Sequence, residues 1–144
     1  MSGLSAERSG GGVDGNGSLR RSATILVADR NPRIRGLVER ELREAGYHVF
    51  SVESISQLRN WIAPGHLPDL LILDPDLPGG GPGDHIWSLL GRHPHLPVVF
   101  HCLTGDIPSP QPGMAFTVTV EKSADSIDLL KRQIDLLLKK KHQD

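Results

Sequence analysis

Two short runs of apolar residues, each followed at once by an aspartate, constrain the fold of this chain most strongly. Thr24–Ala28 (TILVA) precedes Asp29, and Leu70–Leu73 (LLIL) precedes Asp74. Runs without polar alternation are typical of strands that are covered on both faces, as in a parallel sheet packed between helices. A carboxylate at the end of such a strand lies at the sheet edge where α/β proteins bind ligands, although an aspartate there also commonly just begins a turn.

Helical patterns alternate with further strand-like runs along the rest of the chain. The first predicted helix follows Asn31 and ends at Gly46. Ser54 is predicted to cap a second helix, and Ser123 to cap the last one. The remaining predicted elements are strands over Tyr47–Val52, Val98–Cys102 and Phe116–Val120, and a short third helix over Asp84–Leu90.

This order of elements predicts the fold class. Strands that alternate with helices imply parallel pairing, here an α/β, flavodoxin-like, doubly wound five-stranded sheet with helices on both faces. Between Leu103 and Ala115 the chain carries Pro108, Pro110 and Pro112 and shows no helical period, so the fourth helix is expected to be degenerate or absent. Residues 1–22, rich in glycine and serine, are predicted to form a disordered arm, and residues 23–142 a single domain.

Composition argues against several classes of protein. The formal net charge of −1 over 144 residues gives no field that would attract nucleic acid or a membrane surface. A single cysteine, Cys102, allows no intrachain disulfide and no zinc spacing. No apolar run approaches the roughly 20 residues that span a bilayer, and the N-terminus lacks the apolar core of a signal peptide. We therefore expect a cytoplasmic protein without nucleic-acid or membrane partners.

Four chemically distinctive residues stand at the carboxyl ends of different predicted strands. Asp29 follows the first strand, Asp74 the third and Lys122 the fifth, while Cys102 ends the fourth. The carboxyl ends of parallel strands share one edge of the sheet, so these residues are expected to meet there. Two carboxylates and an ammonium group at one edge indicate a site rather than packing.

The chain resembles the receiver domain of two-component response regulators from Thr24 to about Lys141. The points of match, in order, are ILVAD at 25–29, DLLILDPDLP at 69–78, PVVF at 97–100, and Lys122 ahead of a helix. The resemblance implies a signalling module rather than an enzyme. Its partners would be a sensor histidine kinase or a phosphotransfer protein and a downstream protein target, with homodimerisation left open.

The resemblance also assigns roles to the residues at the sheet edge. Asp74 would be the phosphoacceptor and Lys122 its compact counter-cation. Mg²⁺ would be held by the carboxylates of Asp29 and Asp74 and by the backbone carbonyl of Asp76.

Several positions depart from the pattern of that family. Arg30 stands where a second acid is usual, which weakens Mg²⁺ binding; its guanidinium either faces solvent or pairs permanently with Asp74. Cys102 occupies the position of the switch serine or threonine, and a thiol is a weaker hydrogen-bond donor than a hydroxyl. Thr119 replaces a common aromatic residue, and Ser123 the proline usual after the lysine.

Two functional interpretations follow from these matches and departures. One is a stand-alone receiver that accepts a phosphoryl group on Asp74 in a phosphorelay, and the retention of Asp29, Asp74 and Lys122 favours it. The other is a pseudo-receiver that keeps the fold as a docking module and is not phosphorylated.

Two alternatives come from other protein classes. Asp74-Pro75-Asp76 also resembles the DxD motif of haloacid dehalogenase-type phosphatases, in which the second acid is a general acid/base. That motif normally follows the first strand, whereas here it follows the third predicted strand, with two strands and two helices before that strand. A flavodoxin-type FMN site needs a hydroxyl- or glycine-rich phosphate loop after the first strand, which Asp29–Pro32 does not provide.

Overall fold

The computed structural model of the protein describes residues 23–62, 65–80, 85–106 and 116–143. The predicted arm, residues 1–22, lies outside these ranges, as do residues 107–115 of the proline-bearing stretch. Across the described ranges, strands and helices alternate as the sequence predicts, with a parallel sheet between helices. Within them, no helix combines the length and the apolar character needed to cross a membrane.

The elements follow in the order strand, helix, strand, helix, strand, helix, strand, strand, helix. They are β1 (Thr24–Ala28), α1 (Pro32–Glu44), β2 (His48–Val52), α2 (Ile55–Ile62), β3 (Leu70–Leu73), α3 (Ile86–Gly91), β4 (Val98–Cys102), β5 (Thr117–Glu121) and α4 (Ser126–Gln143). Between β4 and β5 the described residues contain one 3₁₀ turn, Thr104–Asp106, and no α-helix.

All neighbouring strands of the sheet are parallel, in the order β2-β1-β3-β4-β5. From β1 the chain adds β2 on one side, and then β3, β4 and β5 on the other side. Such a topological switch point, here between β1 and β3, leaves a crevice at the carboxyl ends of the strands. Ala28 at the end of β1 is in register with Leu73 at the end of β3. The residues after them, Asp29 and Asp74, therefore lie side by side at this crevice.

Two apolar layers cover the two faces of the sheet, which explains why β1, β3 and β4 lack polar alternation. On one face α1 and α4 pack on alternate strand residues such as Ile25, Ile72 and Val99. On the other face α2 and α3 pack on the intervening residues, including Leu71 and Phe100. The central strands are thus buried on both sides, as their uninterrupted apolar runs predict.

Both ends of α1 are capped, and the C-terminal signal at Gly46 is the one that the sequence predicts. The side chain of Asn31 accepts hydrogen bonds from the backbone N–H groups of Arg33 and Ile34 at the N-terminus. Gly46 has φ 103°, the left-handed conformation that ends helices, directly after the C-cap Ala45.

The start of the last helix differs from the prediction. Ser123 does not cap α4; the chain first makes a turn in which the Ser126 N–H donates to the Ser123 carbonyl at 3.2 Å, and α4 begins at Ser126. Residues between Lys122 and α4 are exposed, so no apolar contact pulls the helix start back to Ser123.

The loop after Asp74 is attached to the beginning of α2. The Pro78 carbonyl accepts a 2.7 Å hydrogen bond from the N–H of Ile55, the first residue of that helix. The Ser56 hydroxyl donates to the carbonyl of the next residue, Gly79. Gly79 has φ 87°, and a Cβ built on it would lie 2.9 Å from the Ser54 Cβ.

Gly79→Ala is therefore expected to destabilise the fold by about 1–3 kcal/mol, because alanine combines backbone strain with a steric clash at this position. Gly36→Ala is the matched control: Gly36 lies inside α1, and an added Cβ there meets nothing within 4 Å. The control should be stabilised by about 0.5–1 kcal/mol through helix propensity. Urea denaturation measures both changes, and equal effects at the two positions would contradict this account of the loop.

Candidate functional site

Asp29 and Asp74 occupy adjoining positions at the switch point and are both buried, each with 2% of its surface exposed. The backbone places them there. The Asp29 N–H donates to the Val52 carbonyl at 3.2 Å, and the Asp74 N–H donates to the Ala28 carbonyl at 2.8 Å. These bonds extend the sheet ladder by one residue, so neither aspartate can move without disturbing a strand end.

Each carboxylate forms the same local turn. Asp29 Oδ1 accepts the Asn31 N–H at 2.9 Å, and Asp74 Oδ1 accepts the Asp76 N–H at 2.9 Å. Both aspartates therefore begin a turn, as the simpler interpretation of the sequence expects, but the turn uses only one oxygen of each. The other oxygen, Oδ2, remains for chemistry at the sheet edge.

Lys122 joins the two carboxylates. Its Nζ lies 3.1 Å from Asp29 Oδ2 and 3.7 Å from Asp74 Oδ2, and its side chain is 9% exposed. The Lys122 N–H donates to the Cys102 carbonyl at 2.7 Å, which continues the pairing of β4 with β5 and fixes the lysine at the edge. The structure thus brings Asp29, Asp74 and Lys122 together.

Arg30 points into this cluster. Its Nε lies 3.4 Å from Asp74 Oδ2, and its Nη2 lies 3.5 Å from Asp76 Oδ2. The Arg30 side chain is 46% exposed, compared with 2% for Asp74, so the guanidinium lies on the solvent side of that carboxylate. Of the two orientations that the sequence leaves open, the structure has the one directed towards Asp74.

Asp74 Oδ2 is the unusual atom of the site. It is buried and has no hydrogen-bond partner among the described residues, although the Lys122 and Arg30 side chains both lie within 4 Å of it. Because neither cationic side chain donates a hydrogen bond to Asp74 Oδ2, the lone pairs of this oxygen remain available. The arrangement therefore presents one carboxylate oxygen between two positive charges.

Burial dominates the titration of the neighbouring groups. Desolvation raises the pKa of the Asp29 carboxyl above its ordinary value, against the opposing effects of the Asn31 N–H and of Lys122. His101, on β4, has both ring nitrogens buried without a hydrogen-bond partner among the described residues. Burial first, and Lys122 second, lower the pKa of His101 to about 4, so its ring is neutral at pH 7.

Sequence reasoning missed Arg35 as a supporting residue. Its Nη1 donates to the Asp29 carbonyl at 2.9 Å, and its Nη2 lies 3.4 Å from Glu53 Oε2 at the end of β2. The pair braces the backbone that carries Asp29. The sequence does not distinguish Arg35 from Arg33 or Arg40 on the same helix. Its role depends on the position of β2 beside α1, which only the structure shows.

The residue at the predicted switch position, Cys102, is a buried thiol that ends β4. Cys102 contacts the site through its backbone carbonyl, which accepts a hydrogen bond from the Lys122 N–H. The role of its side chain stays a prediction.

The donor set suits a divalent cation poorly. The described residues contain no group of three acidic, histidine or cysteine side chains that could hold a metal ion. The two carboxylates of Asp29 and Asp74 already share Lys122, and Asp74 and Asp76 share Arg30. A hard cation, which prefers six or more oxygen ligands, would have to bind beside the positive charges of Lys122 and Arg30.

Comparison with known proteins identifies a consistent set of relatives. The family described as "Response regulator receiver domain" matches residues 25–132. The DNA-binding transcriptional regulator NtrC of Rhizobium meliloti is 36% identical over 77 residues, which is 54% of this chain and 16% of that protein. The chain therefore spans only a small part of the length of this relative.

Solved structures show the same likeness. A response regulator receiver domain protein from Clostridium thermocellum matches with a TM-score of 0.68 at 23% identity, covering 84% of this chain and 98% of that one. A putative response regulator from Chloroflexus aurantiacus matches with a TM-score of 0.63 at 28% identity, covering 82% and 98%. A chain in the structure of histidine kinase ThkA in complex with response regulator protein TrrA matches with a TM-score of 0.60 at 27% identity, covering 81% and 98%.

The geometry predicts that Lys122→Met destabilises the fold by about 3 kcal/mol, because two buried carboxylates lose their shared cation. Lys139→Met is the control: its Nζ lies 3.9 Å from Asp135 Oδ2 on the α4 surface, and 42% of the side chain is exposed. Such a surface pair contributes about 0.5 kcal/mol or less.

The loss in Lys122→Met should also depend on pH. The folded-state pKa of Asp29 already lies above the ordinary value of 3.8, so folding stability falls as pH rises from 3.8 through the folded-state pKa. Removing Lys122 raises the folded-state pKa of Asp29 further, because Lys122 lowers that pKa in the unaltered protein. The pH range over which folding stability falls therefore becomes wider. Urea denaturation of the unaltered protein and of Lys122→Met from pH 4 to pH 8 should show a difference in free energy of unfolding that grows with pH. A difference that stays constant would contradict the pairing of Lys122 with Asp29.

Proposed function

Because the chain belongs to the response regulator receiver domain family, we propose that it accepts a phosphoryl group on Asp74 in a phosphorelay. One observation carries the proposal. Asp74 Oδ2 is held at the switch point of the sheet without a hydrogen bond from the described residues and between the side chains of Lys122 and Arg30. An oxygen with available lone pairs and nearby positive charge is what a carboxylate nucleophile requires.

The proposed step needs little from the protein beyond placement and charge. Asp74 Oδ2 attacks the phosphorus atom of the donor and forms the O–P bond of an acyl phosphate. The bond between phosphorus and the leaving group breaks, and the leaving group keeps that electron pair. Asp74 Oδ1 stays hydrogen-bonded to the Asp76 N–H, which fixes the carboxylate plane. Lys122 offsets the negative charge that the phosphoryl oxygens bring.

The proposed donor is a sensor histidine kinase or a phosphotransfer protein, and the proposed output is docking to a downstream protein target. The match to a chain from the complex of ThkA and TrrA supports a kinase as the donor class. The proposed location of the protein is the cytoplasm. The expectation that the receiver stands alone stays a prediction, as does homodimerisation.

One observation favours the second candidate, a docking module that is not phosphorylated. Arg30 lies 3.4 Å from Asp74 Oδ2, and only 2% of Asp74 is exposed, so a phosphodonor must displace the guanidinium to reach the oxygen. The Arg30 side chain is 46% exposed and its two contacts are at 3.4 and 3.5 Å, longer than a firm charge-assisted hydrogen bond. We therefore rank phosphorylation first.

Incubation with acetyl phosphate should add one phosphoryl group to the intact protein, and Asp74→Asn should abolish the gain in mass, because the amide is not a nucleophile. Asp128→Asn, which changes an exposed aspartate on α4, should keep it. Intact-protein mass spectrometry at neutral pH measures all three.

Absence of the mass gain in the unaltered protein, with and without Mg²⁺, would favour the docking module. A gain that persists in Asp74→Asn would place the phosphoacceptor elsewhere.

A further inference from the structure

Arg30, directly after Asp29, places a positive charge beside the carboxylates of the site. Arg30 contributes one positive charge, and Lys122 a second, against the carboxylates of Asp29, Asp74 and Asp76. The two cations leave the five groups with a net charge of −1 when all are ionised. An acid in place of Arg30, as the family usually has, would make it −3 and would call for a bound cation.

Arg30 does not form a closed two-point bond with Asp74. Its Nε faces Asp74 Oδ2 and its Nη2 faces Asp76 Oδ2, so the guanidinium divides between two carboxylates. Asp74 Oδ2 still has no hydrogen-bond partner among the described residues. A guanidinium has five N–H donors in a planar fork, which leaves donors for the oxygens of an incoming phosphoryl group.

Resting on the proposed phosphorylation of Asp74, we infer that Arg30 is a phosphoryl-binding residue that takes the charge-neutralising place of a divalent cation. Arg30 and Lys122 lie at 3.4 and 3.7 Å from the same Asp74 Oδ2, the atom that would carry the phosphoryl group. Arginine and lysine together form a two-cation site for phosphoryl oxygens. Phosphoryl transfer to Asp74 should then depend little on Mg²⁺.

The exposure of Arg30 fits this role better than a purely structural one. Lys122, which faces the same carboxylate oxygen, has 9% of its side chain exposed, whereas 46% of the Arg30 side chain is exposed. The guanidinium is therefore able to move out while the donor approaches and to close on the phosphoryl oxygens afterwards. Asp76, with 42% of its side chain exposed, holds it near the site meanwhile.

The test compares Arg30→Gln, Arg30→Lys and Arg30→Asp with the control Arg33→Gln, which alters an exposed arginine at the start of α1. Phosphorylation by acetyl phosphate is followed by mass spectrometry in EDTA and in Mg²⁺. Mg²⁺ binding to each unphosphorylated protein is measured separately by isothermal titration calorimetry, and thermal melts establish that each variant is folded.

In EDTA, the unaltered protein and Arg33→Gln should be phosphorylated at rates close to those in Mg²⁺. In EDTA, the phosphorylation rate of Arg30→Gln should be about tenfold or more below that of the unaltered protein, which is the effect of one charge-assisted hydrogen bond to the transferring group. Arg30→Lys should recover part of this rate. Arg30→Asp should bind Mg²⁺ more tightly than the unaltered protein and should require it.

Two results overturn the inference in distinguishable ways. If the unaltered protein is phosphorylated only with Mg²⁺ and Arg30→Gln behaves like Arg33→Gln, the proposed function stands and the role of Arg30 is wrong. If no protein in the series is phosphorylated under either condition, including Arg30→Asp with Mg²⁺ bound, the proposed function and the inference both fail.

Discussion

The ammonium group of Lys122 lies between two carboxylates that are almost completely buried, 3.1 Å from Asp29 and 3.7 Å from Asp74. Two like charges at the ends of adjacent strands would oppose folding through their mutual repulsion. The lysine makes their proximity tolerable. Since Lys122 follows β5 and the aspartates follow β1 and β3, this one contact requires the central and edge strands to be assembled in register.

The order of the strands, rather than any local motif, creates the site. Asp29 and Asp74 are distant in sequence but adjacent in space, because β1 pairs directly with β3 and the chain changes direction there. Arg35 and Glu53 brace the same corner from α1 and from the residue after β2. The site is therefore set by the packing of several elements, namely β1, β3, α1 and the end of β2.

The sequence predicts the meeting of Asp29, Asp74 and Lys122 because apolar runs define where strands end and parallel pairing brings those ends to one edge. It does not predict where Arg30 points, since that depends on the three-dimensional position of Asp76. The start of α4 is also missed: Ser123 has the chemistry of a cap, but a turn separates it from the helix. Local sequence signals do not predict features that depend on residues close in space but distant in sequence.

The attachment of the Asp74 loop to α2 couples chemistry at the sheet edge to the first turn of that helix. The Pro78 carbonyl is bonded to the N–H of Ile55, so the first turn of α2 and the segment after β3 behave as one mechanical unit. Any rearrangement around a modified Asp74 that withdraws this carbonyl exposes the Ile55 amide to solvent. The amide of Ile55 thus serves as a built-in reporter whose hydrogen exchange registers the state of the loop.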